Sequence, residues 1–542
     1  MLAARANDRK QLFKKQNDLE HGRRRREETT TQLRKAKKEE QLMKRRQAAQ
    51  PHALNATEDD KRVFTKADIP SLMNDFISAG SNMNDPKVFS AVQGFRRMLS
   101  VEDSPPVDEV LEAGALRFFV GLLDPSNVHT LVFEATWALT NIASTDKTQA
   151  VVDGGALPML IQHLHHPVAD VREQAAWCIG NIAGDSQELR DLVLGSGALV
   201  GLILNLKDPA TASLLGNVTW AVSNLCRGKP SPQKHLIQPA VGPLAELLGR
   251  TVGPEVMVDA AWALSYLADG DNDRIDMVME TGVTEVLVQL LEKNHLALTT
   301  PVVRTLGNFV TGDDLQTQTV VEAGVIEPIV GLLNHPSKGI RKECCWLLSN
   351  IAAGTEDQID MLVEVDRIFE TMAHIAQNDR HEVRKEALWV IANVFTTGTE
   401  EQLRHVANHE GLKALADALS SMKDSKSLIV VMEALDKVFE VSARRDLNFT
   451  REFDEWGGID ALEELQSHSS EEVYEKAVEL IEKYYGGDDE EDENVAPSQE
   501  NGMFSFGTAK QLFPADGNAD SDKYAPVFGQ TQANSANNIR MF

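Results

Sequence analysis

The stretch DVREQAAWCIGNIAG, residues 170–184, holds a tryptophan and, four residues on, an asparagine: Trp177 and Asn181. At the 100° per residue of an α-helix, Val171, Ala175, Cys178 and Ile182 fall within about 60° of one another and make an apolar stripe. Trp177 and Asn181 share a line roughly 100–140° from the centre of that stripe. They are neighbours on one surface, and the tryptophan is expected outside the middle of the core.

The pair recurs. WALTN holds Trp137 and Asn141, WAVSN holds Trp220 and Asn224, WLLSN holds Trp346 and Asn350, and WVIAN holds Trp389 and Asn393. The tryptophan-equivalent positions run 137, 177, 220, 262, 304, 346 and 389, in steps of 40 to 43 residues. A period near 42 marks a stacked helical repeat. A turn signal recurs with it: EAGAL (112–116), DGGAL (153–157), GSGAL (195–199), ETGV (280–283), EAGV (322–325), EGL (410–412) and WGGI (456–459). Glycine ends one helix there and an apolar run opens the next. Proline then closes that second helix, as in FVGLLDP and IVGLLNHP, and a longer third helix carries the Trp/Asn pair. The fold expected is all-α: an armadillo-repeat right-handed superhelical solenoid of about ten units over 81–486. Paired-helix units of the HEAT kind fit the glycine-rich first turn and the period less well. Residues 51–80 read as a linker and a first short helix.

The two ends differ from this body. Residues 1–50 carry 16 Lys/Arg against 7 Asp/Glu, a net of +9, so the rest of the chain holds −37 of the total −28. Few apolar residues punctuate this basic arm, which is expected to be disordered until a partner wraps it. A basic arm on an acidic body suits nucleic acid, a separate acidic partner, or its own body. Residues 487–542 begin with six acids, Asp488 to Glu493, and continue as a polar tail with MFSFG (503–507) and PVFGQ (526–530). That tail is also expected to be disordered. Cys178, Cys226, Cys344 and Cys345 all fall in apolar helical stretches, which suits buried, reduced thiols in a cytosolic or nuclear protein. The first residues, MLAARANDRKQLFKKQ, lack the apolar core of a secretory signal, and Asp8 and Asp18 argue against a mitochondrial presequence. No apolar run approaches the roughly 18–20 residues of a membrane span.

A ladder of Trp and Asn has a chemistry of its own. Asparagine offers one acceptor and two donors, enough to clamp the main chain of an extended peptide without reading its side chains. Tryptophan faces make slots for aliphatic stems ending in positive charge, with cation–π attraction of roughly 0.5–2 kcal/mol each. The competing reading is packing, with tryptophan at the edge of the repeat interface and asparagine bridging backbone. Five pairs in register weigh against it, because packing has no evident need for asparagine beside each tryptophan. Three residues before the rungs stand Glu134, Gln174, Asn217, Asp259, Pro301, Glu343 and Glu386, and Asp185 follows Asn181 by one turn. The groove is expected to be polar to acidic, and its ligand an extended Lys/Arg-rich peptide. Tyr266 stands where asparagine should follow Trp262, and Arg304 stands where tryptophan should precede Asn308. Arg304 would repel a basic ligand and so divide the groove into two sites.

With these features the sequence resembles the importin-α (karyopherin-α) family of nuclear localisation signal adaptors, across the basic arm, the repeats and the acidic C-terminal end. The interrupted rungs at Tyr266 and Arg304 fit that family as well as the intact ones do. The resemblance implies a major peptide site of Trp137, Asn141, Thr148, Trp177, Asn181, Asp185, Trp220 and Asn224. In it Asp185 pairs the most deeply held lysine and Thr148 helps to hold it. It implies a minor site of Asn308, Glu343, Trp346, Asn350, Glu386, Trp389 and Asn393. Arg23, Arg24, Arg25 and Arg26 and the helix after them would be engaged by importin-β, and Lys44, Arg45 and Arg46 would lie in the chain's own major site when importin-β is absent. The acidic block and last repeat would be recognised by a recycling exportin, and the two Phe-Gly motifs resemble those of nucleoporins, which adds these as candidate partners. The protein would shuttle between cytoplasm and nucleus. One departure is the loop after Asn141 (IASTDKTQ), which is short for the family.

Other functions fit less well. An armadillo scaffold of the β-catenin kind, binding other peptide partners without a transport role, would typically have a basic groove without five paired rungs. Nucleic-acid binding rests on the arm alone and is opposed by the body's charge. There is no phosphate-binding glycine loop and no sign of a cofactor, so no enzyme is expected. His163, His165 and His166 read as solvated residues at a helix end.

Overall fold

The computed structural model describes residues 62–486, except 81, 83, 84, 102, 103, 294 and 295, and the backbone of 498–500 and 503–505. The chain divides into two compact units, Met1–Tyr484 and Tyr485–Phe542. The first is an armadillo-repeat right-handed superhelical solenoid. Among the described residues its ten third helices are Pro86–Leu99, His129–Ala143, Ala169–Asp185, Ala212–Cys226, Pro254–Leu267, Leu296–Phe309, Lys338–Ala352, His381–Thr397, Ser425–Arg445 and Glu471–Tyr484. Each packs against the next along the chain. They number repeats 1 to 10 here.

The glycine turns do what their position requires. Gly114, Gly155, Gly197, Gly282, Gly324 and Gly457 have φ between +72° and +82°, the left-handed conformation that a Cβ disfavours. Each lets the short first helix hand over to the second within one turn. Two repeats force other residues into this role: Arg367 (φ +55°) and Glu410 (φ +67°). In EGL the left-handed residue is therefore Glu410, whereas Gly411 is helical and is needed because a Cβ there would meet the Val406 carbonyl oxygen at 2.6 Å.

A second ladder, built from glutamine, ties the first helices together. Gln316, Gln358 and Gln402 close capping boxes with Asp313, Thr355 and Thr399. The same side chains then donate backwards, Gln316 to Asn272 O (3.0 Å), Gln358 to Asp314 O (2.8 Å) and Gln402 to Glu356 O (2.9 Å). One side chain thus caps its own helix and ties it to the first turn of the first helix in the preceding repeat.

Aromatic clusters fill the two ends of the core. Phe76, on the first described α-helix Ile69–Ala79, stacks with Phe95 and Phe118, and Phe95 meets Phe119 edge-on at 5.4 Å. At the far end Phe439 packs edge-on against Phe453 and Tyr484. The Tyr484 hydroxyl donates to Asp436, which also pairs with Lys483 at 2.8 Å and so fastens repeat 10 to repeat 9. All four cysteines are free and buried, as expected. No single described helix is long and apolar enough to cross a membrane.

The second unit contains, among its described residues, a small antiparallel hairpin. Ser498–Glu500 pairs with Met503–Ser505, Gln499 opposite Phe504. The hairpin takes in part of the FSFG motif.

Candidate functional site: the tryptophan–asparagine ladder

The pairs stand on the third helices of repeats 2, 3, 4, 7 and 8, as the period requires. Their tryptophans are more deeply set than the helical wheel suggests: Trp177 is 4% exposed and Trp346 2%, whereas Trp137 and Trp389 are half-buried. A single apolar stripe is the wrong picture for a solenoid, whose third helices have a third helix on either flank. Glycine makes room for the ring. A Cβ on Gly180 would lie 2.8 Å from Cε3 of Trp220, and one on Gly307 would lie 2.9 Å from Cε3 of Trp346. Each of these indoles rests on the backbone of the preceding third helix.

The asparagines correct a second expectation, because packing does use them. Asn181 donates to Thr140 O (3.1 Å), Asn224 to Gly180 O (2.9 Å), Asn308 to Ser265 O (2.8 Å) and Asn393 to Ser349 O (2.9 Å). In each case one amide N–H ties a third helix to a backbone carbonyl of its predecessor. Asn141 makes the same link through Ser100 Oγ at 2.9 Å, and Asn350 instead donates within its own helix to Trp346 O. These bonds, five between helices and one within a helix, fix the orientation of each amide before any ligand arrives. The remaining amide valences differ from rung to rung: at Asn181 the Oδ1 is buried without a hydrogen-bond partner.

The line three residues before each rung is no acidic rim. Glu134, Gln174, Asn217, Asp259 and Glu343 are all buried, and Glu386 is half-buried. Gln174 donates to Thr140 Oγ1 at 2.8 Å and Asn217 to Glu173 at 2.9 Å. Pro301 sits inside the third helix of repeat 6. These positions lie at about 60° from the tryptophan around the helix and so enter the same inter-repeat seam. The exposed acid is Asp185. It ends the helix Ala169–Asp185, where the helix dipole disfavours a carboxylate by roughly 0.3–1 kcal/mol. No cation pairs with it among the described residues. Thr148 opens the first helix of the same repeat, buried, with its hydroxyl directed to Ala143 O and Thr145 O at 3.0 Å. Beside it, Lys147 of the short loop pairs with Asp108 at 3.0 Å.

The break in the ladder has a structure of its own. The rings of Trp262 and Tyr266 stack at 5.9 Å, so the tyrosine turns along the helix onto its own tryptophan. Arg304 forks onto Glu343 with two bonds of 2.7 Å. Burial opposes the guanidinium's charge, and the Glu343 carboxylate outweighs burial, so the pKa of Arg304 is held above its ordinary value. The charge expected to repel a basic ligand is therefore paired, and what repeat 6 lacks is the tryptophan. Both oxygens of Glu343 are engaged by that fork.

Sequence reasoning missed one rung. A step of 41 residues back from Trp137 and Asn141 leads to Arg96 and Ser100 on repeat 1. Arg96 forks onto Glu134 (2.7 and 3.2 Å), and its guanidinium lies 4.5 Å from the centroid of the Trp137 ring. The periodic step is the available signal: the series begins at the first intact pair, Trp137, and Arg96 stands one step before it.

His163 corrects another expectation. It is buried, 1% exposed, with Nε2 2.7 Å from Leu123 O, and burial lowers its pKa below the usual range. His165 is exposed. No group of residues suited to a metal occurs among the described residues. Arg23, Arg24, Arg25, Arg26, Lys44, Arg45 and Arg46 lie outside the described residues.

Comparison with known proteins bears on both arm and ladder. Residues 9–93 match the importin beta binding domain model. Residues 103–144, 144–184 and 313–353 match the armadillo/beta-catenin-like repeat, and 448–498 the atypical Arm repeat. The chain is 38% identical over 438 residues to importin subunit alpha-1b of Oryza sativa subsp. japonica, covering 79% of this chain and 81% of that one. It is 39% identical to importin subunit alpha-2 of Arabidopsis thaliana, covering 77% and 79%. Among solved structures, an engineered protein superposes with a TM-score of 0.69 at 25% identity, covering 77% of this chain and 99% of the other. By its arm, its repeats and its relatives, the chain belongs to the importin-α family.

Proposed function

We propose that this chain is a nuclear import adaptor that holds Lys/Arg-rich nuclear localisation signals along the Trp/Asn ladder and links them to importin-β through its basic arm. The observation that carries the reading is Asp185: an exposed carboxylate at a helix end that disfavours it, one turn beyond Asn181 and unpaired among the described residues. Such a group is stabilised when a cation arrives. Trp137, Asn141, Trp177, Asn181, Trp220 and Asn224, with Thr148 at the edge, make the major site. Asn308, Trp346, Asn350, Glu386, Trp389 and Asn393 make the minor one, with Glu343 shared with Arg304. The asparagine amides, already oriented by their bonds to backbone or to Ser100, clamp the peptide main chain at little further entropic cost. Lys44, Arg45 and Arg46 compete for the major site from within the chain, and Arg23 to Arg26 are held by importin-β, which releases that competition. A recycling exportin at the last repeat, nucleoporins at the tail motifs and shuttling between cytoplasm and nucleus complete the reading.

The test is binding of a labelled Lys-rich signal peptide to residues 51–542 and to the full chain, by fluorescence anisotropy. Tight binding is expected for the truncated form, weaker binding for the full chain, and recovery on adding importin-β. Equal affinity of the two forms would sink self-inhibition. Asp185→Lys should weaken the peptide at least about tenfold, the loss of one charge-assisted contact and its replacement by repulsion. Unchanged binding would remove Asp185 from the site.

A further inference from the structure

The rung on repeat 1 is filled by the protein itself. Arg96 occupies the tryptophan-equivalent position, its side chain only 9% exposed. Its guanidinium stands over the Trp137 ring at 4.5 Å and forks onto the Glu134 carboxylate, itself 9% exposed. An aromatic face with a carboxylate one turn away is what a lysine or arginine of a ligand would seek. Here an internal arginine satisfies both groups at once. Its main chain is held as well: Ser100 Oγ donates to Arg96 O at 2.7 Å, and Asn141 donates to Ser100 Oγ at 2.9 Å and reaches Arg96 O at 3.4 Å. The amide nitrogen of the first intact rung is thereby engaged on repeat 1, which leaves its Oδ1 as the acceptor for a peptide main chain.

We propose that Arg96 is a built-in occupant that closes the repeat-1 end of the major site and fixes the register of a bound basic peptide. The inference rests on the basic-peptide reading of the ladder. Without this side chain the Trp137 face and Glu134 would form one more cation slot, and a basic run could slide or extend by a residue towards repeat 1. Arg304 on Glu343 repeats the fork in the middle of the array. Specificity set by blocking a slot is as physical as specificity set by filling one.

The test uses the full chain and acetylated peptides of equal length. In them a run of four lysines is extended by a fifth at one end or at the other, with alanine in the opposite place. Anisotropy titrations compare the parent, Arg96→Met, and Arg96→Met/Glu134→Gln. In Arg96→Met, which keeps the stem's bulk and frees the acid, the fifth lysine at one end should raise affinity about fivefold, the scale of one cation–π and carboxylate slot. The parent should gain less than about twofold at that end, and the double variant should lose the gain because its slot has no charge. Equal gains in parent and Arg96→Met would overturn the proposal. Failure of the parent to bind any of the peptides would overturn the basic-peptide reading instead. Should Arg96→Met not fold, a crystal structure of the parent with hexalysine decides: Arg96 should remain over Trp137, and a peptide lysine in its place on Glu134 would refute the closure.

Discussion

Gly180 shows how much of the ladder depends on an atom that is absent. The Trp220 ring lies against its backbone, so a methyl group there would stand 2.8 Å from Cε3 and closer still to the ring's far edge. Gly180→Ala has to push the indole outward or part the third helices of repeats 3 and 4, a cost of about 1–3 kcal/mol. Asn224 donates to the carbonyl of the same glycine, so both members of the rung would shift together. The expected outcome is a lower thermal midpoint by circular dichroism and weaker binding of a Lys-rich peptide. A variant with parental stability and parental affinity would show that the ring has room to spare. The five Trp/Asn pairs were legible from spacing alone. The bridging by the asparagines was not, because a helical wheel contains one helix and the bonds of Asn181, Asn224, Asn308 and Asn393 end on another. Arg96 escaped for a related reason: its role is defined by the ring and carboxylate of the next repeat.

At the scale of the element, the turn between first and second helices decides where each third helix points. Six glycines take the left-handed conformation there, and their positions could be read from the sequence. Arg367 takes the same conformation at φ +55° immediately before the helix Ile368–Asn378, and nothing in its chemistry announced it. The fold imposes that geometry at about 1–2 kcal/mol for a residue with a Cβ. Glycine removes this strain and loses part of the gain to its greater freedom in the unfolded chain. Arg367→Gly is therefore expected to stabilise the protein by about 0.5–1 kcal/mol. A denaturant titration that shifts to lower midpoint would mean that the arginine side chain contributes more than the strain costs. The glutamine ladder of Gln316, Gln358 and Gln402 lay half-visible in the sequence: the capping boxes follow from local spacing, whereas the backward bond to the preceding repeat needs the period as well.

For the whole molecule, the decisive quantity is the division of charge between an arm of +9 and a remainder of −37. On the proposed function, arm and cargo compete for one groove, so the affinity of the full chain for cargo should be that of the truncated chain divided by one plus the self-binding constant. A tether places the arm at an effective concentration near about 1 mM, which makes even weak self-binding count at low salt. Screening acts on that constant directly, since the Debye length shrinks from about 10 Å at 0.1 M to about 3 Å at 1 M. Cargo binding to residues 51–542 should weaken as salt rises. The affinity ratio of the truncated to the full chain should fall at the same time, from at least about tenfold at low salt towards unity near 0.5 M. Anisotropy titrations of both forms across that range measure the two effects separately. A ratio that stays constant while both affinities drop would mean that the arm is held by apolar contacts, and that the opposite charges of arm and body serve encounter with importin-β instead.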